Sequence, residues 1–234
     1  MALAITTQPG SRTYGDPRCP SSCPREGAAI TSGKVRAVHR GRALAEDVHS
    51  GFRGLRCRNR MTTFEIPTLT TERLRLRAFQ ANDLDAYAEM QANPEVMRYL
   101  VTGRTSTRAE VWRTMATALG GWALRGYGMW ACEKIDDQAF VGSVGIFQPF
   151  DWPEPEIAYS LDRPYWRQGF ATEGAKAARD WLFERFPLPR AASFIRPDNH
   201  ASKRVAERLG AVLERTFKLR GSTYEYWVHY RAKA

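Results

Sequence analysis

The stretch Ile157-Ala-Tyr-Ser-Leu-Asp-Arg-Pro-Tyr-Trp-Arg-Gln-Gly-Phe-Ala-Thr-Glu-Gly-Ala-Lys-Ala-Ala178 constrains this chain more than any other. An apolar strand-like run, Ile157 to Leu161, enters a short turn. The turn leads through Gly169 and Ala171 into a helix expected over about Ala171 to Phe186, with Ala175, Ala178, Leu182 and Phe186 buried. The first N–H groups of a helix lack an intrahelical partner, and the helix dipole adds partial positive charge beside them. A strand, a small-residue turn and a helix start therefore make a phosphate cradle, which points to a phosphate-bearing ligand. A Cβ at Gly169 is expected to fill that cradle. No G-x-G-x-x-G opens a strand–helix unit, which argues against a dinucleotide fold, and no G-x-x-x-x-G-K-[ST] is present.

A second segment, Phe194 to Ala211, reads as a strand, a cap at Asn199, and a helix with Ala201, Val205 and Leu209 at spacing four. Gly210 stands where a C′ residue stops such a helix.

Trp166-Arg167-Gln168-Gly169-Phe170-Ala171 resembles the pyrophosphate-binding pattern Gln/Arg-x-x-Gly-x-Gly/Ala of the Gcn5-related N-acetyltransferase (GNAT) superfamily, departing from it at Trp166. The longer run Tyr165 to Glu173 is similar to the branch that includes the ribosomal-protein alanine and serine N-acetyltransferases. Two further motifs agree. Thr71-Glu-Arg-Leu-Arg-Leu-Arg77 matches that branch's opening strand, and Asn199, Ser202, Val205, Glu207 and Gly210 fill its Asn-x-x-Ser-x-x-Val-x-Glu-x-x-Gly. The resemblance spans Thr71 to Tyr230.

It implies an α/β (α+β) fold: a twisted, mostly antiparallel sheet with splayed parallel central strands, flanked by helices. It also implies acetyl-CoA as co-substrate, and no metal. On the resemblance the pantetheine arm pairs with backbone near Tyr159 and Leu161. The N–H groups of Gln168, Gly169, Phe170 and Ala171, helped by Thr172, face the pyrophosphate. Arg167 adds a charge contact or is simply solvated, and Asn199 bonds the pantetheine or orders a water, unless it serves only as a cap.

Element order read from pattern agrees with a mixed fold. Leu74 and Leu76 alternate with arginines in a half-buried strand; Asn82 and Asn93-Pro94 each open a helix. A longer helix is expected from Ser106, with Val111, Met115, Ala118, Leu119 and Trp122 as its apolar stripe and Gly126 at its end. Strands follow at about Met129–Ile135, Phe140–Phe147, Leu213–Leu219 and Tyr224–Tyr230.

The net charge of +10 is unevenly spread. Residues 1–60 hold 11 Lys/Arg against 4 Asp/Glu, so the remaining chain is only mildly basic. This location, and the lack of a nucleic-acid-binding motif, argues against a nucleic-acid partner. Residues 1–60 read as a disordered basic arm or as upstream sequence ahead of a start at Met61; residues 61–234 read as the acetyltransferase domain. Cys19 and Cys23 lack the second pair or His cluster of a zinc site, and Cys132 reads as a buried apolar residue. No apolar run approaches about 18 residues, so no membrane span is expected, and the first ten residues are too weakly apolar for a secretory signal; the expected location is the cytoplasm.

Acyl transfer from a thioester to an amine needs deprotonation, alignment and stabilised charge, and no Ser-His-Asp arrangement. Glu156 is the candidate base, since a partly buried Glu titrates near neutral pH; Glu154 is a weaker one. The helical Tyr that many superfamily members use toward the departing thiolate is replaced by Ala206; Ser202, a Ser in the similar branch too, is the available hydroxyl, and it either donates to the CoA sulfur or simply caps its own helix turn. His200 and His229 read as structural. Glu156, Glu154 and Asp151 put negative charge near the acceptor entrance, which suits a cationic primary amine such as a ribosomal or other protein N-terminus, a polyamine or an aminoglycoside. Trp152 is the aromatic residue expected to be exposed, whereas Trp112, Trp122, Tyr127, Trp130 and Phe150 are expected mostly in the core. A non-catalytic acyl-CoA-binding module is the alternative function, and a homodimer stays open.

Overall fold

The computed structural model describes residues 65–232. The readings for residues 1–60, for a start at Met61 and for Cys19, Cys23 and Cys57 lie outside the described residues.

Elements follow in the order β1 (Leu69–Thr70), β2 (Leu74–Arg77), α1 (Asp83–Ala92), α2 (Pro94–Met97), α3 (Arg108–Arg125), β3 (Met129–Lys134), β4 (Phe140–Phe147), β5 (Glu156–Leu161), a 3₁₀ turn (Arg163–Tyr165), α4 (Phe170–Arg185), β6 (Arg190–Ile195), α5 (His200–Arg208), β7 (Val212–Leu219) and β8 (Ser222–Tyr230). The strands form one sheet ordered β1-β2-β3-β4-β5-β6-β8-β7. Every neighbour is antiparallel except β5 and β6, which run parallel and pair at a single position, Glu156 with Ala192. This is the mixed α/β fold with splayed central strands that the motifs imply.

The two sheet faces are covered by different helices. α4 lays Ala175, Ala178 and Leu182 against Leu74, Val144 and Ile157. Contact is close because Gly174 brings α4 so near that an added Cβ would sit 3.3 Å from Val144 Cγ2. A second cluster joins α1 and α3 (Tyr87, Met90, Val111, Met115) to Phe79 and Ala131. A third gathers Trp152, Phe194, Tyr224 and Tyr226.

Several local expectations shift. Asn82 makes no capping hydrogen bond; Asp83 takes over, accepting the Gln80 N–H (2.7 Å) and both Arg77 Nη groups. The charged, bidentate pairing outcompetes a neutral cap. Helix α3 starts at Arg108 rather than Ser106, because Thr107 and Glu110 form a reciprocal capping box worth about 1 kcal/mol. Ala201 is exposed, and Ala206 fills the interior instead, against Ile195, Ala211 and Trp227. Phe186 falls just past the end of α4 and is half-buried, while Phe183 takes the interior place. Among the aromatic residues, Trp122 and Trp130 are core, but Trp112 and Phe150 are exposed.

Candidate functional site

The alternation of a β-strand decides which backbone groups are free. Asp162 N–H donates to Val141 O, so by the antiparallel pattern the even-numbered residues of β5 bond to β4. Ile157, Tyr159 and Leu161 turn their backbone groups to the opposite edge, where β6 has already diverged. Ser193 Oγ donates to Ile157 O (2.8 Å) and closes the base of the splay. Trp166 Nε1 donates to Leu161 O (2.7 Å) at the other end. Tyr159 thus offers both its N–H and its C=O to the gap, and Leu161 only its N–H.

Beyond β5 the chain enters the turn. Asp162 accepts the Arg163 N–H and starts the 3₁₀ turn. Arg167 (φ 62°) and Gly169 (φ 86°) are left-handed, while Gln168 between them is not. Such sign alternation aims successive N–H groups to one side, the arrangement of an anion nest. The first bond of α4 is Glu173 N–H to Gly169 O (3.0 Å), so the N–H groups of Phe170, Ala171 and Thr172 have no intrahelical partner. Thr172 Oγ1 is buried beside them with no hydrogen-bond partner among the described residues. A helix start with free N–H groups and an orphaned hydroxyl on one of its first residues is a set of groups that fits the pyrophosphate of acetyl-CoA. The Phe170 side chain is buried in the core, leaving only its backbone to the cradle. Arg167 is exposed.

Gly169 also meets the chain beneath the turn. A Cβ added at Gly169 would lie 3.3 Å from Arg73 Nη2. The left-handed φ and this contact both favour glycine here. Arg73 and Glu173, which local pattern did not single out, fasten the cradle from beneath. Glu173 accepts from Thr71 Oγ1 (2.6 Å), Arg73 N–H (2.9 Å) and Arg73 Nε (2.8 Å). Arg73 Nη1 then donates to Gln168 O (3.0 Å), and its guanidinium lies 4.5 Å from the Phe170 ring centre. Burial works to raise the Glu173 pKa, but the hydrogen bonds from Thr71 and Arg73 prevail and hold it below the usual carboxylate range.

A cavity of about 990 Å³ opens on the sheet and reaches the splay; Glu156, Tyr159, Ser193, Asn199 and Ser202 line it, whereas residues 167–172 lie outside it. Structure therefore divides the predicted residues into a cradle and a cavity, linked by β5. Glu156 accepts from Trp152 Nε1 (2.7 Å) and from the Phe194 N–H (3.2 Å). Its side chain keeps some opening to the cavity but is packed around by protein, and this burial pushes the carboxyl up to about 8 against those two hydrogen bonds. Trp152 is 5% exposed, contrary to expectation, because its ring stacks edge-on against Phe147 and its Nε1 serves Glu156. Asp151 pairs with Arg220 (2.6 Å) and Glu154 with Arg190 (3.4 Å), and neither lines the cavity. The expected acidic entrance reduces to Glu156.

On α5, Asn199 Oδ1 caps the Ser202 N–H (3.2 Å), and Asn199 Nδ2 donates to Ser202 Oγ (2.9 Å). Because Ser202 Oγ accepts there, its own proton stays available. Tyr159 donates its hydroxyl proton to Ser202 O (3.0 Å), and burial raises its pKa well above normal. Ala206 packs into the core and brings no polar group. Burial lowers His229 to about 4, and its Nε2 sits 3.0 Å from Ser193 Oγ, which makes it a neutral buried residue; His200 is exposed. Buried Cys132 has its thiol raised to about 12, mainly by burial. No helix among the described residues is long and apolar enough to cross a membrane.

The model of the acetyltransferase (GNAT) domain family matches residues 73–212. Bacillus subtilis YkkB is 31% identical over 158 residues, covering 64% of this chain and 88% of its own length. An acetyltransferase of Agrobacterium tumefaciens superposes with a TM-score of 0.65 at 30% identity, over 72% of this chain and 97% of that one. A ribosomal L7/L12 alpha-N-protein acetyltransferase in complex with coenzyme A has a TM-score of 0.59 at 20% identity, over 70% of this chain and 98% of its own, and so shares the fold.

Proposed function

Because the chain belongs to the acetyltransferase (GNAT) family and is an N-acetyltransferase, we propose that it moves the acetyl group of acetyl-CoA directly onto a primary amine, with Glu156 as the base. The observation that carries the proposal is that the raised Glu156 carboxyl, the open Tyr159 backbone edge and Ser202 all border one cavity.

Bound in the splay, acetyl-CoA supplies an acetyl carbon activated as a thioester. The free N–H groups of Gln168, Gly169, Phe170 and Ala171, with Thr172 Oγ1, hold its pyrophosphate, and Arg167 contributes charge from solvent. Tyr159 N–H and C=O and the Leu161 N–H align the pantetheine arm, and Asn199 orders its far side. Glu156 accepts the ammonium proton, a step worth about 10²–10⁴ in rate. The amine nitrogen bonds to the acetyl carbon as the carbon–sulfur bond breaks; the amine's second proton passes to the departing sulfur to give free CoA, and the Ser202 hydroxyl hydrogen-bonds that sulfur as charge builds on it.

Isothermal titration of acetyl-CoA into the full chain, paired with amine-dependent release of free CoA, tests the reading. Binding lost in Gly169→Val, together with turnover lost in Glu156→Gln at intact acetyl-CoA binding, supports it. Binding without turnover on any amine of a broad panel would overturn it.

A further inference from the structure

The cavity's charged lining is unbalanced in a way that bears on the acceptor. Its charged side chains are Glu156 and three arginines, Arg113, Arg125 and Arg196. Arg113 and Arg196 have no ion-pair partner among the described residues, and Arg125 reaches only Gln148 Oε1, at 3.5 Å. The acids that would have welcomed a polycation, Asp151 and Glu154, are paired elsewhere.

The wall around Glu156 is aromatic. Trp152 stacks on Phe147 and Phe194, and Phe194 on Tyr226, so an acceptor entering here meets apolar rings. Arg196 follows on the same chain segment, with its guanidinium 5.8 Å from the Tyr224 ring centre. Glu156 is anchored to the Phe194 N–H, and Arg196 stands two residues further along, just past the end of β6; both line the cavity. One carboxyl able to take a proton and one guanidinium able to hold an anion thus line the same cavity as these aromatic rings. A guanidinium binds a carboxylate through a two-point fork, which a polyamine has no group to use.

Resting on the function proposed above, we infer that the acceptor is a small zwitterionic amine of amino-acid type, with an apolar or aromatic body, whose amine faces Glu156 and whose carboxylate is held by Arg196. Polyamines and aminoglycosides, which the sequence alone suggested, are disfavoured by the same three arginines.

The test is kcat/KM on the full chain with phenylalanine, phenethylamine and spermidine. Phenylalanine should exceed phenethylamine, which lacks only the carboxylate, by at least about tenfold, the scale of one charge-assisted hydrogen bond. Arg196→Ala should collapse that ratio toward one, and Arg196→Lys should restore part of it. Spermidine outpacing phenylalanine, or a ratio insensitive to Arg196→Ala in a folded variant, would overturn the inference while leaving acetyl transfer standing. Acetylation of none of the three, nor of any amine in the broader panel, would instead overturn the enzyme mechanism and the inference with it.

Discussion

The guanidinium of Arg73 meets the carboxylate of Glu173 twice, Nε to Oε2 at 2.8 Å and Nη2 to Oε2 at 2.6 Å, across a hundred residues of sequence. Through it the bend leading into β2 holds the first turn of α4, and through Arg73 Nη1 it holds the Gln168 carbonyl that shapes the cradle. Glu173→Gln keeps the size and removes the charge. It should lower stability by about 1 kcal/mol, a modest figure because Arg73 is half-exposed, and weaken acetyl-CoA binding about five- to tenfold. Asp85→Asn on α1, whose partner Arg108 is exposed, should do neither. A lowered Tm with unchanged acetyl-CoA affinity would make the pair a brace of the fold alone.

Thr172 offers a cleaner probe of the cradle. Its hydroxyl is buried without a partner among the described residues, so Thr172→Val removes an unmet polar group and should hold or slightly raise the Tm. The same change should weaken acetyl-CoA binding about tenfold, the scale of one hydrogen bond to a charged phosphate. Loss of stability in Thr172→Val would mean that the hydroxyl already has a structural task.

The kinetic signature of Glu156 follows from its pKa near 8. A base works when ionised, so wild-type kcat/KM should climb as pH rises toward about 8 and level off above it. Glu156→Gln should lose about 10²–10⁴ in rate on the plateau and less at pH 6, where the wild-type group is mostly protonated. A variant profile parallel to wild type would remove Glu156 from the proton transfer.

The same shift affects stability with the opposite trend. Glu156 titrates near 4.5 in the unfolded chain and near 8 in the folded one, so the fold favours its protonated form. Its stabilising contribution is complete below about pH 4.5 and is lost as pH rises through about 8. Glu156→Gln should therefore gain Tm relative to wild type as pH rises from about 5 to 8. An unchanging Tm difference across that range would argue that the carboxyl ionises normally.

Parts of this site were legible and parts were not, for a physical reason. The strand, turn and helix start from Glu156 to Thr172 are specified by adjacent residues, and the turn's glycine and apolar periods report them directly. The cap at Asn199 and the stop at Gly210 are local in the same way. Trp152 misled because a Pro-flanked loop suggests solvent, while its burial depends on Phe147 and Phe194 from two different strands. Asn82 misled because Arg77, arriving from β2, recruits Asp83. The acidic entrance misled because Arg190 and Arg220 reach Glu154 and Asp151 from far along the chain. Periodicity reports which way a residue faces, not which distant charge will meet it.

The single pairing position between β5 and β6 leaves the sheet unfinished at its middle rather than at its margin. An unfinished margin invites another protein; an unfinished middle, walled by α4 and closed at its base by Ser193, admits only something slender that carries its own amides. A pantetheine arm has that shape. Acetyl-CoA would then act as a removable ninth strand, and the supply of a metabolite would set how firmly the two halves of the protein are joined.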